Sequence, residues 1–286
     1  MSLPLVSISI PVYNGEPYIY ETLNSVLNQT YKNLEIIIYD NCSTDKTAEI
    51  IKTFKDSRIT YHLNDKNYGA LINCQKCLEA GNGEYIKLLH ADDLLKPNAI
   101  EMQIDVMISN PDVSLCITAT NIINEFDDVI MKRQLFKKSL KISGKTMAKK
   151  SLLGGRNIYG EQSSVLFRKD KARQITGFAD DLYYSGDLDY WMRLSYIGDV
   201  YYISEFLSDY RVSSANLTSN LIFRNFKLLL IDWDNLIKKH SELNIIKLNK
   251  LDKLISKTSL VIMLLLKAVF LIYNNMRTKM KRLYFK

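Results

Sequence analysis

The chain has 286 residues, 47% of them apolar and 24% charged, a balance that excludes a disordered or fibrous protein and suits one large domain or two moderate ones around a real core. Four scattered cysteines (Cys42, Cys74, Cys77, Cys116) and three separated histidines (His62, His90, His240) make zinc or another soft-metal centre a poor expectation, so any metal is expected to be a hard, oxygen-loving one. The net charge of +7 is concentrated at the end, where Arg277, Lys279, Lys281, Arg282 and Lys286 occur without an acid, a pattern suited to an anionic membrane surface rather than to nucleic acid.

Val6, Ile8, Ile10 and Val12 alternate with Ser7, Ser9 and Pro11, predicting a strand that runs into the turn Tyr13-Asn14-Gly15. No basic leader precedes this stretch, so a signal peptide is not expected and the chain is expected to start in the cytoplasm. Pro17 suits the first turn of a helix over residues 17–28, with Tyr18, Leu23, Val26 and Leu27 on its apolar face. Residues 34–39 are a continuous apolar run, as in a buried parallel strand, and end in Asp40-Asn41-Cys42-Ser43-Thr44-Asp45, where Ser43 or Thr44 is placed to cap a helix over 45–54. A strand over 59–63, a helix over 69–80, a strand over 84–89, a helix over 97–109 and a strand over 113–118 follow. Strands and helices alternating at this spacing predict an α/β fold with a mostly parallel central sheet flanked by helices.

The strand over 84–89 ends in His90-Ala91-Asp92-Asp93. Adjacent carboxylates at the carboxyl edge of such a sheet, where ligands bind, repel unless a cation or hydrogen bonds compensate, and a divalent metal bridging a diphosphate is a common compensation. The plainer alternative is a solvated acid pair ahead of the helix that Pro97 opens. After Asn124 the regularity fades into a lysine-rich stretch over 127–150, and residues 163–167 read as a strand returning to the sheet edge. A short helix over 189–196 carries Trp191, Met192 and Leu194 on one side, and apolar segments cover 200–203 and 207–212. From Leu221 on the pattern is helical. Residues 260–273 are almost wholly apolar, but Lys267 interrupts them and they fall short of the ~20 residues of a membrane span. Three readings stand: a core helix, a homodimer helix, or an interfacial helix whose Lys267 snorkels, with packing on a surface expected over spanning.

Six motifs in order, Ile10-Pro11-Val12-Tyr13-Asn14-Gly15, Tyr39-Asp40-Asn41-Cys42-Ser43-Thr44-Asp45, Asn67-Tyr68-Gly69, Gly83-Glu84-Tyr85-Ile86, His90-Ala91-Asp92-Asp93 and Gly186-Asp187-Leu188-Asp189-Tyr190-Trp191, together resemble glycosyltransferase family 2 over roughly residues 5–212. The resemblance implies a GT-A fold over 1–215, with a nucleotide-binding half about 1–120 and an acceptor-binding half about 121–215, followed by a helical extension over 216–286. It implies transfer of a sugar, with inversion, from a nucleoside diphosphate sugar to a hydroxyl of a saccharide or lipid-linked acceptor, as in bacterial surface polysaccharide synthesis. Mg2+ or Mn2+ is the implied cofactor, and the inner face of the cell membrane the implied place.

The same resemblance distributes roles. Pro11, Tyr13 and Asn14 lie under the base, with Tyr13 available for stacking. Asp40 and Asn41 lie where the family reads the base; relatives that use uridine nucleotides often carry two acids here, so Asn41 leaves uracil, thymine and guanine open. Asn67 joins the donor site, Asp92 holds ribose and metal, Asp93 the metal, and Arg211 the region of the diphosphate. Ser213 and Ser214 stand where many relatives place a histidine, and Lys76 is a weak substitute for a basic residue on the diphosphate. Asp187 is the candidate general base, with Asp189 supporting acceptor binding or the helix start. Two other readings compete: a catalytically silent module that binds nucleotide sugar or tethers a membrane or partner, favoured by His90, Asn41 and Ser213, and a nucleotidyltransferase, disfavoured because Tyr13-Asn14-Gly15-Glu16-Pro17 is not a Gly-rich basic loop.

Overall fold

β1 (Val6–Val12) and β2 (Leu34–Asp40) pair in parallel from Val6 opposite Leu34 to Val12 opposite Asp40, and almost every side chain on both is buried, which is why β2 reads as an unbroken apolar run. In this computed structural model, which describes residues 3–179, 181–212 and 225–284 and the side chains up to 274 and at 276, β3 (Ile59–Leu63) and β4 (Tyr85–Leu88) extend the parallel set on either side. The helices between these strands are α1 (Ile19–Leu27), α2 (Thr47–Thr53) and α3 (Ala70–Glu79), and α4 (Ala99–Ser109) follows the acid turn. Pro17 and Pro97 therefore sit in turns ahead of α1 and α4. Ser43 and Thr44 do not cap α2: the Asp45 carboxylate accepts the Thr47 N–H instead. All four parallel strands end at one edge.

The second half of the sheet is mixed. Its order is β3-β2-β1-β4-β9-β6-β10-β5, so β9 (Leu166–Arg168) lies antiparallel between β4 and β6 (Val113–Ile123), not at the edge that residues 163–167 suggested. Leu166 and Phe167 are wholly buried, which an edge position would not allow. The two apolar segments after residue 199 are one strand, β10 (Asp199–Arg211), parallel to β6 and irregular between Ile203 and Ser208, where bulges break the apolar pattern. β5 (Leu94–Leu95) and β8 (Leu140–Ile142) pair with β10, and β7 (Val129–Arg133) with β6. The lysine-rich stretch thus contains two short strands and most of α5 (Gly144–Leu153). A 3-10 turn over Gln162–Ser164, α6 (Lys169–Ala172) and α7 (Gly186–Ser195) complete this half.

Two helices close the chain, α8 (Phe226–Glu242) and α9 (Lys250–Tyr284). Leu229, Trp233 and Leu236 of α8 and Leu260, Leu264 and Leu271 of α9 share one apolar core with Leu152 of α5 and Trp191 of α7. Trp233 donates its indole N–H to Ser256 Oγ at 3.0 Å, and Ser256 in turn donates to the Leu152 carbonyl. The reading of the last helix as too short to span is corrected: the helical stretch Lys250–Asn274, 25 residues with an 18-residue window of mean hydropathy 2.1, is long and apolar enough to cross a membrane by length and composition. Its outward side carries Leu254, Ile262, Leu265, Val269 and Ile272, all exposed. Ser213, Ser214, residues 221–224 and the basic side chains from Arg277 to Lys286 lie outside the described residues.

Candidate active site

The loops after β1 and β2 clasp each other. Asn14, at φ 51°, donates its N–H to Ser43 Oγ and accepts the Thr44 N–H, each at 2.9 Å, while Gly15 N–H reaches Thr47 Oγ1 at 2.8 Å and Glu16 N–H reaches Asp45 at 3.0 Å. A side chain on Gly15 would meet Val12 Cγ2 at 2.6 Å, so only glycine lets the loops close. The result is a fixed rim at the carboxyl edge, with Pro11 in its floor and Tyr13 50% exposed above it.

Asp40 and Asn41 end β2 as expected, but their polar atoms face the protein. Asp40 accepts from Ser43 N–H and Tyr61 O–H, both at 2.8 Å. Asn41, 2% exposed, accepts from Asn64 at 3.1 Å and Tyr68 N–H at 2.9 Å and donates to Asn67 at 2.8 Å. Both lone-pair positions of its carbonyl are occupied, so accepting a base N–H as well requires this network to open. Asn64 and Asn73, which sequence reasoning passed over, belong to it: Asn64 donates to Asn73 at 2.8 Å, and Asn73 donates to the Tyr39 carbonyl at 2.9 Å. Lys76 Nζ donates to Asn64 and lies 3.8 Å from the Tyr68 ring centre, so it serves this cluster.

The acid turn is clamped from two sides. Asp93 is wholly buried; it accepts the Arg211 N–H at 2.9 Å and the Ser163 hydroxyl, and Ser163 also accepts the His90 N–H. Arg211, 1% exposed, was expected beside a diphosphate, but its guanidinium donates to the Asp92 and Asn124 carbonyls, pairs with Asp127 at 2.6 Å and lies 4.3 Å over the Tyr18 ring. Its burial makes it a brace for the turn. Asp92 keeps partial exposure. Burial raises both carboxyls above the usual range, Asp93 most, with the Asp92 charge adding to it, whereas His90 and Arg211 pull Asp92 back.

Among the described residues no group of three or more His, Cys, Asp and Glu side chains is disposed to hold a metal ion. Mg2+ and Mn2+ do not need such a cage when one or two carboxylates share the ion with substrate phosphates. Asp93, expected as a metal ligand, is wholly buried with its two oxygens taken by the Arg211 N–H and the Ser163 hydroxyl, so the half-buried Asp92 at the strand end is the acid that fits that kind of cation.

Across from the acid turn, Asp187 stands in the first turn of α7, after Ser185 at the N-cap. It accepts the Leu188 N–H at 2.7 Å and the Asn157 side-chain N–H at 3.3 Å. Burial pushes its carboxyl up to about 6; the Leu188 N–H opposes this, Glu161 adds to it, and His90 and Lys267 lower it. Asp187 is linked to the acid turn by one loop, since Asn157 donates to Asp187 and Ser163, six residues on, donates to Asp93. Its support comes from α8: Asp232, 3% exposed, accepts the N–H groups of Tyr183 at 2.6 Å and Ser185 at 2.9 Å and the Ser185 hydroxyl at 2.5 Å. The sequence signal for Asp232 was an acid on the apolar face of a helix, between Leu229 and Leu236. Asp189, by contrast, is wholly buried and pairs with Arg193 at 2.7 Å and His240 at 3.1 Å, so it serves the packing of α7 on α8 and not an acceptor.

Asp187 opens on a cavity of about 590 Å³ bounded by β7, the loop through Asn157 and Glu161, and α9, which contributes Leu264, Lys267 and Phe270.

A parallel half that ends in an acid turn, joined to a mixed half that supplies a half-buried carboxylate and a cavity, is the layout of a GT-A glycosyltransferase. The fold agrees with the mannosyltransferase PcManGT from Pyrobaculum calidifontis, solved with GDP-Man and Mn2+, at a TM-score of 0.61 and 16% identity over 97% of this chain and 83% of that one. The family model for Glycosyl transferase family 2 matches residues 7–175, and the chain belongs to that family. An uncharacterised glycosyltransferase of Rickettsia typhi is 32% identical over 82% of this chain and 72% of its own length. The Escherichia coli enzyme WfaP, a UDP-Glc:alpha-D-GlcNAc-diphosphoundecaprenol beta-1,3-glucosyltransferase, is 45% identical over 37% of this chain and 42% of its own. The chain spans 43% to 83% of solved structures that share its fold, so several of those carry segments without a counterpart here.

Proposed function

We propose that this glycosyltransferase transfers a sugar with inversion from a nucleoside diphosphate sugar seated on the acid-turn edge to a hydroxyl held in the cavity beside Asp187. The observation that carries the reading is Asp187: a half-buried carboxylate that lines the cavity, is held by Asn157 and the Leu188 N–H, and is pushed by desolvation up to about 6. The acceptor oxygen attacks the anomeric carbon from the face opposite the diphosphate, Asp187 takes the hydroxyl proton, and the bond from that carbon to the diphosphate oxygen breaks. Asn157 and the Leu188 N–H hold the carboxylate in position, and Asp232 holds the turn ahead of it.

On the donor side, Tyr13, Asn14 and Pro11 provide the rim for the base, Asn67 and the Asp40–Asn41 corner its floor, and Asp92 the acid facing ribose and cation. Asp93 and Arg211 hold Asp92 in place. A bound Mg2+ or Mn2+ supplies Lewis-acid stabilisation of the leaving diphosphate. The base stays open, since one relative is named for UDP-Glc and one structural neighbour was solved with GDP-Man. The catalytic unit covers 1–215 and the extension 216–286 completes its acceptor side. The exposed face of α9 and the basic residues after Met276 seat the enzyme on the inner face of an anionic membrane, where a lipid-linked saccharide for surface polysaccharide is at hand.

The test is a thermal-shift panel of UDP, dTDP, GDP and CDP with and without Mn2+, on wild type, Asp92→Ala and Asp187→Asn. One nucleotide should stabilise the wild type by about 2.7 kcal/mol at ~100 times its dissociation constant, with Mn2+ and not without it. Asp187→Asn should keep the shift and Asp92→Ala lose it. No shift with any nucleotide would move the reading to a silent tethering module.

A further inference from the structure

We propose that two copies of this chain pair through their last helices as an antiparallel coiled coil, with Ile262 of one copy against Leu265 of the other at the centre. The inference stands apart from the assignment of Asp187 as the base. It rests on the outward side of α9, where Leu251, Ile255, Ile262, Leu265, Val269 and Ile272 fall on one line. With Thr258 in its place and Met276 at the end, the steps along that line are alternately four and three residues throughout. All eight side chains are exposed. The opposite side of the helix, with Ser256, Leu260, Leu264 and Leu271, is the one buried against the rest of the chain, so the intramolecular core does not account for the line.

A strict four-three spacing answers to a partner helix. Side chains that repeat every 3.5 residues stay on one seam only when two helices wind about each other and each side chain enters a gap on the other. A bilayer needs a broad apolar arc and imposes no such register. Along α9 the spacing holds from Leu251 to Met276 with Thr258 as its one polar member, and Lys253, Lys257 and Lys267 all lie off it.

Direction follows from charge. In a parallel pair the two stretches from Arg277 to Lys286, each with five cations and no acid, would lie side by side and repel. Antiparallel pairing moves them to opposite ends of a seam about 37 Å long, at 1.5 Å per residue. It also brings the exposed Leu266 and Tyr273 of both copies, which flank the seam on one side, to the same face of the pair, so both can meet one membrane. Because Leu264, Lys267 and Phe270 on the other side of α9 line the cavity beside Asp187, the pairing backs a wall of the acceptor site.

Sedimentation of the full chain without detergent or lipid is expected to give twice the 33.1 kDa of one chain. Leu265→Asp puts a charge on the seam and should weaken the association at least about tenfold. Leu266→Asp, one residue on but off the seam, should leave it intact, and since both positions are exposed, both variants should keep the unfolding temperature of the monomer fold. Cysteines at the ends read the direction: Leu251→Cys together with Met276→Cys should give, on oxidation, a disulfide-linked dimer absent from wild type, and neither substitution alone should. Equal loss of association in the two aspartate variants, or a cross-link with Leu251→Cys alone, would overturn the inference. So would a wild-type monomer that still binds anionic vesicles, which would leave this face to the membrane alone.

Discussion

The donor half and the acceptor half of the sheet are held together by different means. In the donor half, neighbouring loops lock each other, as Asn14 and Gly15 lock onto Ser43 and Thr47 about thirty residues away, and parallel strands repeat one pairing rule. In the acceptor half, single buried contacts reach much further: Asp232 fixes Ser185 across 47 residues and Asp93 fixes Arg211 across 118. A site built by the first means tolerates change in its surroundings, whereas a site built by the second depends on a few charged side chains that stay buried only while paired.

The sharpest division between the halves comes from Asp187→Asn. Transfer is expected to fall by about 10²–10⁴, while nucleotide binding in the donor half is unchanged by calorimetry. The same variant should be more stable at neutral pH. Burial raises the Asp187 carboxyl in the folded chain, so the protonated form is favoured below the unfolded value and stability is lost as pH rises through about 6. An asparagine carries no such cost, and a gain of about 1–2 kcal/mol in denaturant unfolding at pH 7.5 is the expected result. A loss of stability instead would mean that the carboxylate is a structural contact.

The brace between the halves gives the next largest effect. Arg211→Met leaves the Asp92 and Asn124 carbonyls without donors, while Asp127, 60% exposed, stays solvated, and about 2–4 kcal/mol of stability should go with the two lost hydrogen bonds, seen as a lower urea midpoint. Asp232→Ala acts only on the acceptor side. Three donors on Tyr183 and Ser185 lose their acceptor, which costs about 1–3 kcal/mol, and kcat should fall with the nucleotide affinity intact. Smallest is Tyr13→Ala on the donor rim: its exposed ring packs on nothing essential, so stability should hold while nucleotide affinity drops by about 1 kcal/mol in titration. A drop in turnover at saturating nucleotide would blur the division.

Much of the donor half was legible because its signals are local. Alternation in β1, the apolar run of β2 and the acids after β4 each lie within a few residues, and parallel pairing follows from their spacing with the helices. The rest depends on contacts that no window contains. β9 reads as an edge strand because three residues carry no trace of having a neighbour on each side. Arg211 reads as a ligand group because sequence does not show that its guanidinium is buried against Tyr18 and Asp127. Asn41 reads as a free acceptor because its partners Asn64 and Tyr68 lie on a later strand end and turn. Asp232 showed only as an acid on an apolar helix face, because its partners Tyr183 and Ser185 lie 47 or more residues earlier, just before α7. Lys267 looked like an interruption in an apolar helix, yet it lines the cavity with Asp187.

The central claim is that Asp187 is the base that activates the acceptor, and the pH dependence of kcat/KM addresses it most directly. In wild type the rate should fall tenfold per pH unit below about 6, as the half-buried carboxyl takes up its proton. Asp187→Asn should show a far lower rate without that limb. The same limb at the same pH in the variant would contradict the claim and assign the base to another group.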